Sequence, residues 1–366
     1  MKHTRFFSFL TGIFILFSVS LFSQTGPGGV GDNTDNVLWI RADDFLSVLS
    51  NGDLVSSWSD TSGNDNDFSQ SNMAQQPRFY TGLINGLPAV TFDGGDEMIA
   101  ADVLSGTDGK TIFIVGKVDA NEANSGFIEF NKDRGGGSGE SYLIRGEVAV
   151  RVDGNRVYDQ GFGTSNYRIL TIRNASGVNV TAVEAYLEGS LLGETSSVGA
   201  AINTATGGTI IGGYIEDSPE LEGSIAEIIV FSTELNDAQQ KIVENYLGSK
   251  YGMAVANDYY AFDPSHGSEV AGIGRDDASN EHTAAESGKI LKIDNASSLG
   301  NGDYLLFGHN NGNRTLWSNS GVPDADTNIQ ILPRTWKFAE TNDAGTVTIT
   351  IDTTLLPAPT SGFTDY

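Results

Sequence analysis

The stretch Leu221–Phe231, followed directly by Thr233–Gly252, constrains the fold of this chain more than any other. Ile225, Ile228, Ile229, Val230 and Phe231 form a β-branched and aromatic strand run, with Glu227 the one charge among them. The period then changes. Ala238, Ile242 and Tyr246 fall on one helical stripe, and Val243, Leu247 and Tyr251 on an adjoining one. Asn236 with Gln239 three residues later is a capping-box variant, Lys250 suits a helix C-terminus, and Gly252 can end the helix. Glu244, Asn245 and Ser249 are expected to face water. The amphipathic stripe predicts packing against a neighbouring sheet.

Upstream of this helix the chain reads as short strands. Val37–Ala42, Leu54–Ser59, Pro88–Asp93, Thr111–Val118, Phe127–Asn131 and Tyr142–Arg145 cluster or alternate apolar residues, as do Val148–Val152, Tyr167–Arg173, Val180–Leu187 and Gly208–Gly212. Turn formers separate them, including Ser62-Gly63-Asn64, Gly94-Gly95-Asp96, Gly135–Gly139 and Asp153-Gly154-Asn155. Val150–Val157 predicts a hairpin with Asp153-Gly154 at its tip. Many strands without interleaved helices predict an all-β two-sheet sandwich or jelly roll with one C-terminal helix. The glycine-rich stretches Gly26–Gly31 and Gly207–Gly213 precede no helix, so neither is a phosphate loop. A further set of strands, Val270–Gly274, Lys289–Ile293, Tyr304–Gly308, Arg334–Phe338 and Thr346–Ile351, predicts a second, smaller β-rich domain. The expected division is 1–23, 24–255 and 256–366, with a junction at Ala254–Asp258.

The N-terminal residues read as an export signal. Lys2 and Arg5 form a basic start, Phe6–Phe22 an apolar run, and Leu21-Phe22-Ser23 an acceptable cleavage site before Gln24. A transmembrane anchor is the alternative, disfavoured by the short core and its small C-terminal residues. A secreted or cell-surface location follows, with membrane contact only through export. The chain has no cysteine, so disulfides contribute nothing to its stability. Its net charge of −26 argues against nucleic acid and anionic membrane surfaces, whose phosphates require clustered Lys and Arg. It is compatible with cations and with neutral polymers such as glycans, although surface acids also simply keep an exported protein soluble.

Specific residues carry a resemblance. Asn36-Val-Leu-Trp-Ile-Arg-Ala-Asp43, Val55-Ser-Ser-Trp-Ser-Asp-Thr-Ser-Gly-Asn64, Asn85–Asp96, Thr111–Gly116 and Gly223–Phe231 with Leu235–Gly252 resemble, in that order, the laminin-G-like, concanavalin A-like jelly rolls of secreted bacterial proteins. Val270–Asp277, Tyr304–His309 and Arg334–Phe338 resemble an uncharacterised β-rich domain that follows such jelly rolls in bacterial surface proteins. The resemblance implies that relatives run on past the equivalent of Phe363–Tyr366, so a truncated second domain is expected. It implies lectin, adhesion or glucanase activity without choosing among them.

The glucanase reading can be checked in the residues. Retaining enzymes on this scaffold align two glutamates and an aspartate along one strand face. Glu122, Glu129 and Glu140 lack that spacing, and Glu227 stands alone. His266, His282 and His309 fit no zinc pattern, no Gly-x-Ser-x-Gly elbow is present, and each histidine is expected in a turn or on the surface. Asp324-Ala-Asp326-Thr-Asn328 starts like an EF-hand but has Ile329 and Thr335 where Gly and Glu are needed. Asp93, Asp96 and Glu97 follow a strand end and are the candidate calcium ligands; a tight turn on Gly94-Gly95 is the competing reading.

Trp39, Trp58, Phe92 and Phe113 are expected in the core. Tyr142, Tyr158, Tyr167 and Tyr214 lie near strand ends and are the candidate sugar-stacking rings. Arg41 and Glu227, on strands commonly adjacent in such jelly rolls, are expected to form a structural ion pair. The function expected is a non-catalytic binding or adhesion module for a polysaccharide or cell-surface glycan, with calcium as a candidate assistant. A glycoside hydrolase or lyase and a structural spacer are the alternatives.

Overall fold

A computed structural model describes residues 26–120, 123, 125–131, 141–153, 155–213, 221–320 and 330–358. The Gly135–Gly139 loop, Tyr214, Glu122, Glu140, the N-terminal apolar run and the Asp324–Asn328 turn lie outside the described residues.

The protein is all-β with one substantial helix among the described residues. Two antiparallel sheets stack as a jelly-roll-type sandwich. One runs Ser190–Leu191, Glu184–Leu187, Arg168–Asn174, Lys110–Ala120, Glu222–Phe231, Leu87–Asp93, Arg78–Ile84. The strand Glu222–Phe231 is its centre. One edge pairs along its length with Lys110–Ala120; the other is shared by Leu87–Asp93 near Ser224 and Asn36–Arg41 near Ile229. Residues of Glu222–Phe231 after the first are all buried, because both faces of the strand are covered. The second sheet runs Glu194–Val198, Asn155–Tyr158, Ala149–Arg151, Tyr142–Arg145, Gly126–Phe130, Thr209–Ile211, Met98–Ala100, Phe68–Ser69, Ser57–Trp58. Leu38, Trp58, Phe68, Phe79, Phe127, Phe130 and Ile228 fill the space between the sheets. The predicted hairpin is present, with Arg151 opposite Asn155.

The helix α1 (Asp237–Tyr251) begins where its capping box predicts. Asn236 Oδ1 accepts the Gln239 N–H at 3.0 Å, and Gln239 Oε1 accepts the Asn236 N–H at 3.1 Å. Gly252 ends it in the left-handed region, φ 64°. Ala238, Ile242, Val243, Tyr246 and Leu247 pack on the outer face of the first sheet against Phe113, Val115 and Ile229. Burying each larger apolar side chain is worth about 1.5–3 kcal/mol, so the stripe outweighs the helix's intrinsic propensity.

The expectation that Glu244, Asn245 and Ser249 face water is not met: all three are buried. Asn245 bonds the Asn257 carbonyl and the Tyr259 N–H, and Ser249 donates to Asp263 at 2.8 Å. The chain after the helix folds back over that side. Val270, Tyr304 and Leu306 of the second region then join the same apolar cluster as Ile242 and Ile229. The helix is therefore enclosed between the sandwich and the second region, and the core runs continuously across the expected junction at Ala254–Asp258. The stretch beginning at Gly26 is the third party to this contact. Gly29 (φ 74°) lies so close to Ala285 and Ala271 that a Cβ would sit 2.8 Å from the Ala285 methyl. His282, expected at the surface, is instead partly buried with Nε2 2.9 Å from the Gly29 carbonyl oxygen.

The second region has a four-stranded sheet (Asn280–His282, Ser268–Asp277, Asp303–His309, Trp336–Thr341) and a three-stranded one (Ala285–Ser287, Leu291–Asp294, Thr348–Ile351). Ala271, Ile273, Leu291, Ile293, Leu305 and Phe307 form their small shared core. The strand predicted from Lys289 starts only at Leu291, because Gly288 and Lys289 both take left-handed backbone (φ 63° and 58°) in a turn.

Candidate functional site

Of the four candidate tyrosines, the structure separates three. Tyr142 is fully buried, its hydroxyl donating to Asn174 Oδ1 at 3.0 Å. Tyr158 is 4% exposed and donates to the Val183 carbonyl at 2.6 Å. Both stand on sheet positions that point between the two layers, so neither ring can meet a sugar; these two assignments are corrected. Trp58, Phe92 and Phe113 are in the core as expected, while Trp39 is only partly buried. Tyr167 is partly exposed and lines an open groove of about 580 Å³ on the outer face of the first sheet.

Strand register builds that groove. Ser224 lies directly opposite Thr91 on one side and Lys117 on the other, so three neighbouring strands present Thr91, Ser224 and Lys117 in one row. Tyr80 pairs with Ala89, two residues from Thr91, and so shares that face. The Thr91 and Ser224 hydroxyls are 3.0 Å apart, and Ser224 is also hydrogen-bonded to Tyr167. Burial pushes the Tyr167 phenol above its ordinary range, only partly offset by that bond. The phenol therefore stays neutral and keeps its donor. Lys117 Nζ lies 5.9 Å from the centre of the Tyr167 ring and 2.6 Å from Asp119 Oδ1. Ser165 and Asn166 are exposed at the rim. Ser224 itself is buried and holds the Thr91 and Tyr167 hydroxyls in place. The two rings, the Thr91 hydroxyl, an amide and an ion pair are reachable from solvent and can stack on a sugar face and bond its hydroxyls.

Tyr80 was not legible as a site residue because Arg78–Ile84 does not stand out as a strand. A signal was present: Asn85-Gly86, both left-handed (φ 48° and 77°), is a strong hairpin turn joining Arg78–Ile84 to Leu87–Asp93.

The carboxylates at the other predicted site serve a turn. Asp93 Oδ1 accepts the Gly95 N–H at 3.1 Å and Asp96 Oδ2 accepts the Asp93 N–H at 3.0 Å, with Gly94 at φ 87°. Burial pushes the Asp96 carboxyl up to about 6. Glu97 is tied through its own N–H to the Gln75 carbonyl. Among the described residues, no group of three or more His, Cys, Asp or Glu side chains is placed to hold a metal ion.

Arg41 and Glu227 are direct register partners, as expected of neighbouring strands. The ion pair between them is nevertheless not formed, and that assignment is corrected. Arg41 takes Asp44 through two bonds, 2.7 and 3.1 Å, and stacks on Trp39. Glu227, with no exposed side-chain surface, is held by Lys250 Nζ (2.8 Å), Tyr251 OH (2.8 Å), Tyr246 OH (2.9 Å) and Trp39 Nε1 (2.6 Å). Three of those four donors come from α1. A carboxylate so enclosed cannot reach a glycosidic bond; it pins the helix to the sheet.

A family model described as a domain of unknown function (DUF8202) matches residues 239–366, beginning inside α1. No curated protein matches the chain. Among solved structures, domain 4 of an extracellular arabinanase from Geobacillus stearothermophilus, in complex with arabinotriose, is similar over 57% of this chain and 97% of its own, at 15% identity and TM-score 0.41. The binding domain of Paraclostridial Mosquitocidal Protein 1 is similar over 82% of this chain and 68% of its own, at 14% identity and TM-score 0.38. The binding domain of Botulinum neurotoxin serotype D covers 76% of this chain and 71% of its own, at 15% identity and TM-score 0.37.

Proposed function

We propose that this protein is a non-catalytic, exported binding module that takes a neutral glycan in the groove between Tyr80 and Tyr167. The observation that carries the reading is the Thr91–Ser224–Lys117 row flanked by two tyrosine rings, with Thr91 and Lys117 partly exposed in an open groove and Ser224 buried between them. The rings supply apolar faces for the C–H side of a sugar, and the row supplies hydrogen bonds for its edge. Export is inferred from Lys2, Arg5 and the Phe6–Phe22 run. A binding role fits better than hydrolysis because the one conspicuous strand carboxylate, Glu227, is sealed under α1.

The test is a glycan array probed with the full chain and with Tyr167→Ala, followed by titration of the best neutral glycan. An aromatic anchor contributes at least about 1 kcal/mol to binding, so Tyr167→Ala is expected to weaken affinity at least about fivefold. Tyr167→Phe, which keeps the ring, is expected to lose less. EDTA is expected to leave affinity unchanged, since Asp93 and Asp96 are engaged by backbone N–H groups. Equal affinity of the wild type and Tyr167→Ala would remove the groove as the binding site.

A further inference from the structure

A second concave site lies between the two regions. Its cleft of about 500 Å³ is walled by the C-terminal end of α1 and Arg41 on one side, and by Glu269, His309, Arg314 and Arg334 on the other. It draws Arg41, Lys250, Arg314 and Arg334 together from a chain with only 21 basic residues against 47 acidic ones. Such a gathering of cations in so acidic a protein needs a cause.

Local pairing accounts for only half of them. Lys250 is neutralised by Asp43 and Glu227, both at 2.8 Å. Arg41 is held by Asp44 through Nε and Nη2. Arg334 and Arg314 are different. Arg334, whose side chain is 9% exposed, bonds the Gly312 carbonyl through Nε and Asn311 Oδ1 through Nη2. Its Nη1 reaches Glu269 only at 3.7 Å, beyond hydrogen-bond range. That carboxylate is already taken by His309. Asn311 N–H donates to His309 Nδ1, which puts the imidazole proton on Nε2, where it donates to Glu269 at 2.6 Å. Since Nε2 is then a donor, its 3.4 Å approach to Arg334 Nη1 relieves neither group.

Arg314 is exposed and, among the described residues, bonds only a carbonyl, that of Gly288, at 3.5 Å. No carboxylate of the described residues lies within ion-pair distance of it. Of the two guanidinium groups, Arg334 thus has only a carboxylate already bonded by His309, at 3.7 Å, and Arg314 has none among the described residues. Burial, with Arg314 adding to it against the pull of Glu269, draws the Arg334 guanidinium below its ordinary range. The lining offers a ligand little apolar surface: Leu87 is the main aliphatic side chain, and Tyr246 is buried. A nucleobase or lipid chain has no platform there, so the occupant is hydrophilic throughout.

We propose that this cleft binds the anionic group, carboxylate or sulfate, of an acidic saccharide, with Arg314 and Arg334 as the paired donors and Arg41 facing them from the opposite wall. Planar guanidinium forks match two-oxygen anions, and a flexible ammonium does not do so equally well. A ligand seated there touches both regions and α1 together. The site is separate from the tyrosine groove and does not depend on it.

The experiment is calorimetric titration of the full chain with an oligogalacturonate, a sulfated oligosaccharide, a neutral oligosaccharide of the same length, and free citrate. Comparing the first two identifies which anion the cleft prefers. At least one acidic oligosaccharide is expected to bind, more weakly as salt rises. Arg334→Gln and Arg314→Gln are each expected to reduce that affinity about tenfold or more. Arg314 is exposed, so its variant reports binding even if the Arg334 variant is unstable. Tyr167→Ala is expected to leave acidic binding intact, and Arg314→Gln to leave neutral binding at the groove intact, so the two sites fail independently. Unchanged acidic affinity in Arg314→Gln overturns the proposal, as does equal binding of the neutral oligosaccharide in that cleft. Citrate binding as tightly as either acidic oligosaccharide overturns the saccharide class.

Discussion

The sandwich and the second region are both paired antiparallel sheets, yet they cover their inward residues differently. In the sandwich, inward positions such as Phe68, Phe79, Phe130 and Ile228 have no exposure. In the second region, Phe338 lies opposite Phe307, and Ile349 and Ile351 lie opposite Ile293 and Leu291, all on the side of the small core. Register therefore points them inward, but they remain 39%, 51% and 54% exposed. Two short sheets cannot close over each other with so few strands. The second region gains its stability elsewhere, from the face that Val270, Tyr304 and Leu306 turn toward α1. The difference teaches that the helix is the shared core element, and that neither region is complete without it.

The sharpest way to break this comparison is to remove the carboxylate that pins the helix. Glu227→Ala leaves Lys250 without one of its two carboxylates and removes the carboxylate acceptor of three ring donors, of which only Tyr251 keeps a second, longer bond, to the Ala226 carbonyl, at a cost of about 3–5 kcal/mol. Calorimetry is expected to show one transition, shifted as a whole. Two transitions, with only one of them moved, would separate the regions and refute a shared core.

A smaller effect, of opposite sign, comes from a buried carboxylate of α1 itself, Glu244. Glu244 is buried against Thr171 and Gln240, and burial pushes its pKa up to about 7 from 4.5. The folded state then holds a proton that the unfolded chain releases, so stability falls as pH rises from about 4.5 to about 7. Glu244→Gln keeps the acceptor and removes the titration. It is expected to be more stable than the wild type above pH 7, by roughly 2–3 kcal/mol, and to flatten the profile. Denaturant unfolding at pH 5 and pH 8 measures both; a wild type equally stable at the two pH values contradicts the assignment.

The smallest effect sharpens the contrast in cover. Phe338→Ala is expected to cost less than about 1 kcal/mol, where a closed core phenylalanine costs about 3–5. A loss in the larger range, read by the same unfolding curves, shows that Phe338 is enclosed in solution.

Local chemistry made much of the fold legible. The capping box at Asn236 and Gln239, the terminating Gly252, the Arg151–Asn155 hairpin and the inward set of Trp58, Phe92 and Phe113 follow from neighbours within a few residues. The candidate site was legible only in part. Tyr167 was found by its place near a strand end, but the same rule selected Tyr142 and Tyr158, which face inward. Strand alternation gives two faces without saying which one is covered. Tyr80 went unseen because its strand shows weak alternation, and the Asn85-Gly86 turn was its only strong marker.

The sequence by itself determined an all-β chain with one late helix, and where that helix starts and stops. Those properties depend on short-range period, capping and turn chemistry. Only the tertiary structure decided that Glu227 goes to Lys250 and the α1 tyrosines and not to Arg41. It also decided that the polar side of α1 is buried, and that arginines far apart in sequence meet in one cleft. Each of these outcomes is a competition among partners distant in the chain, settled by which groups the packed layers bring within hydrogen-bond reach.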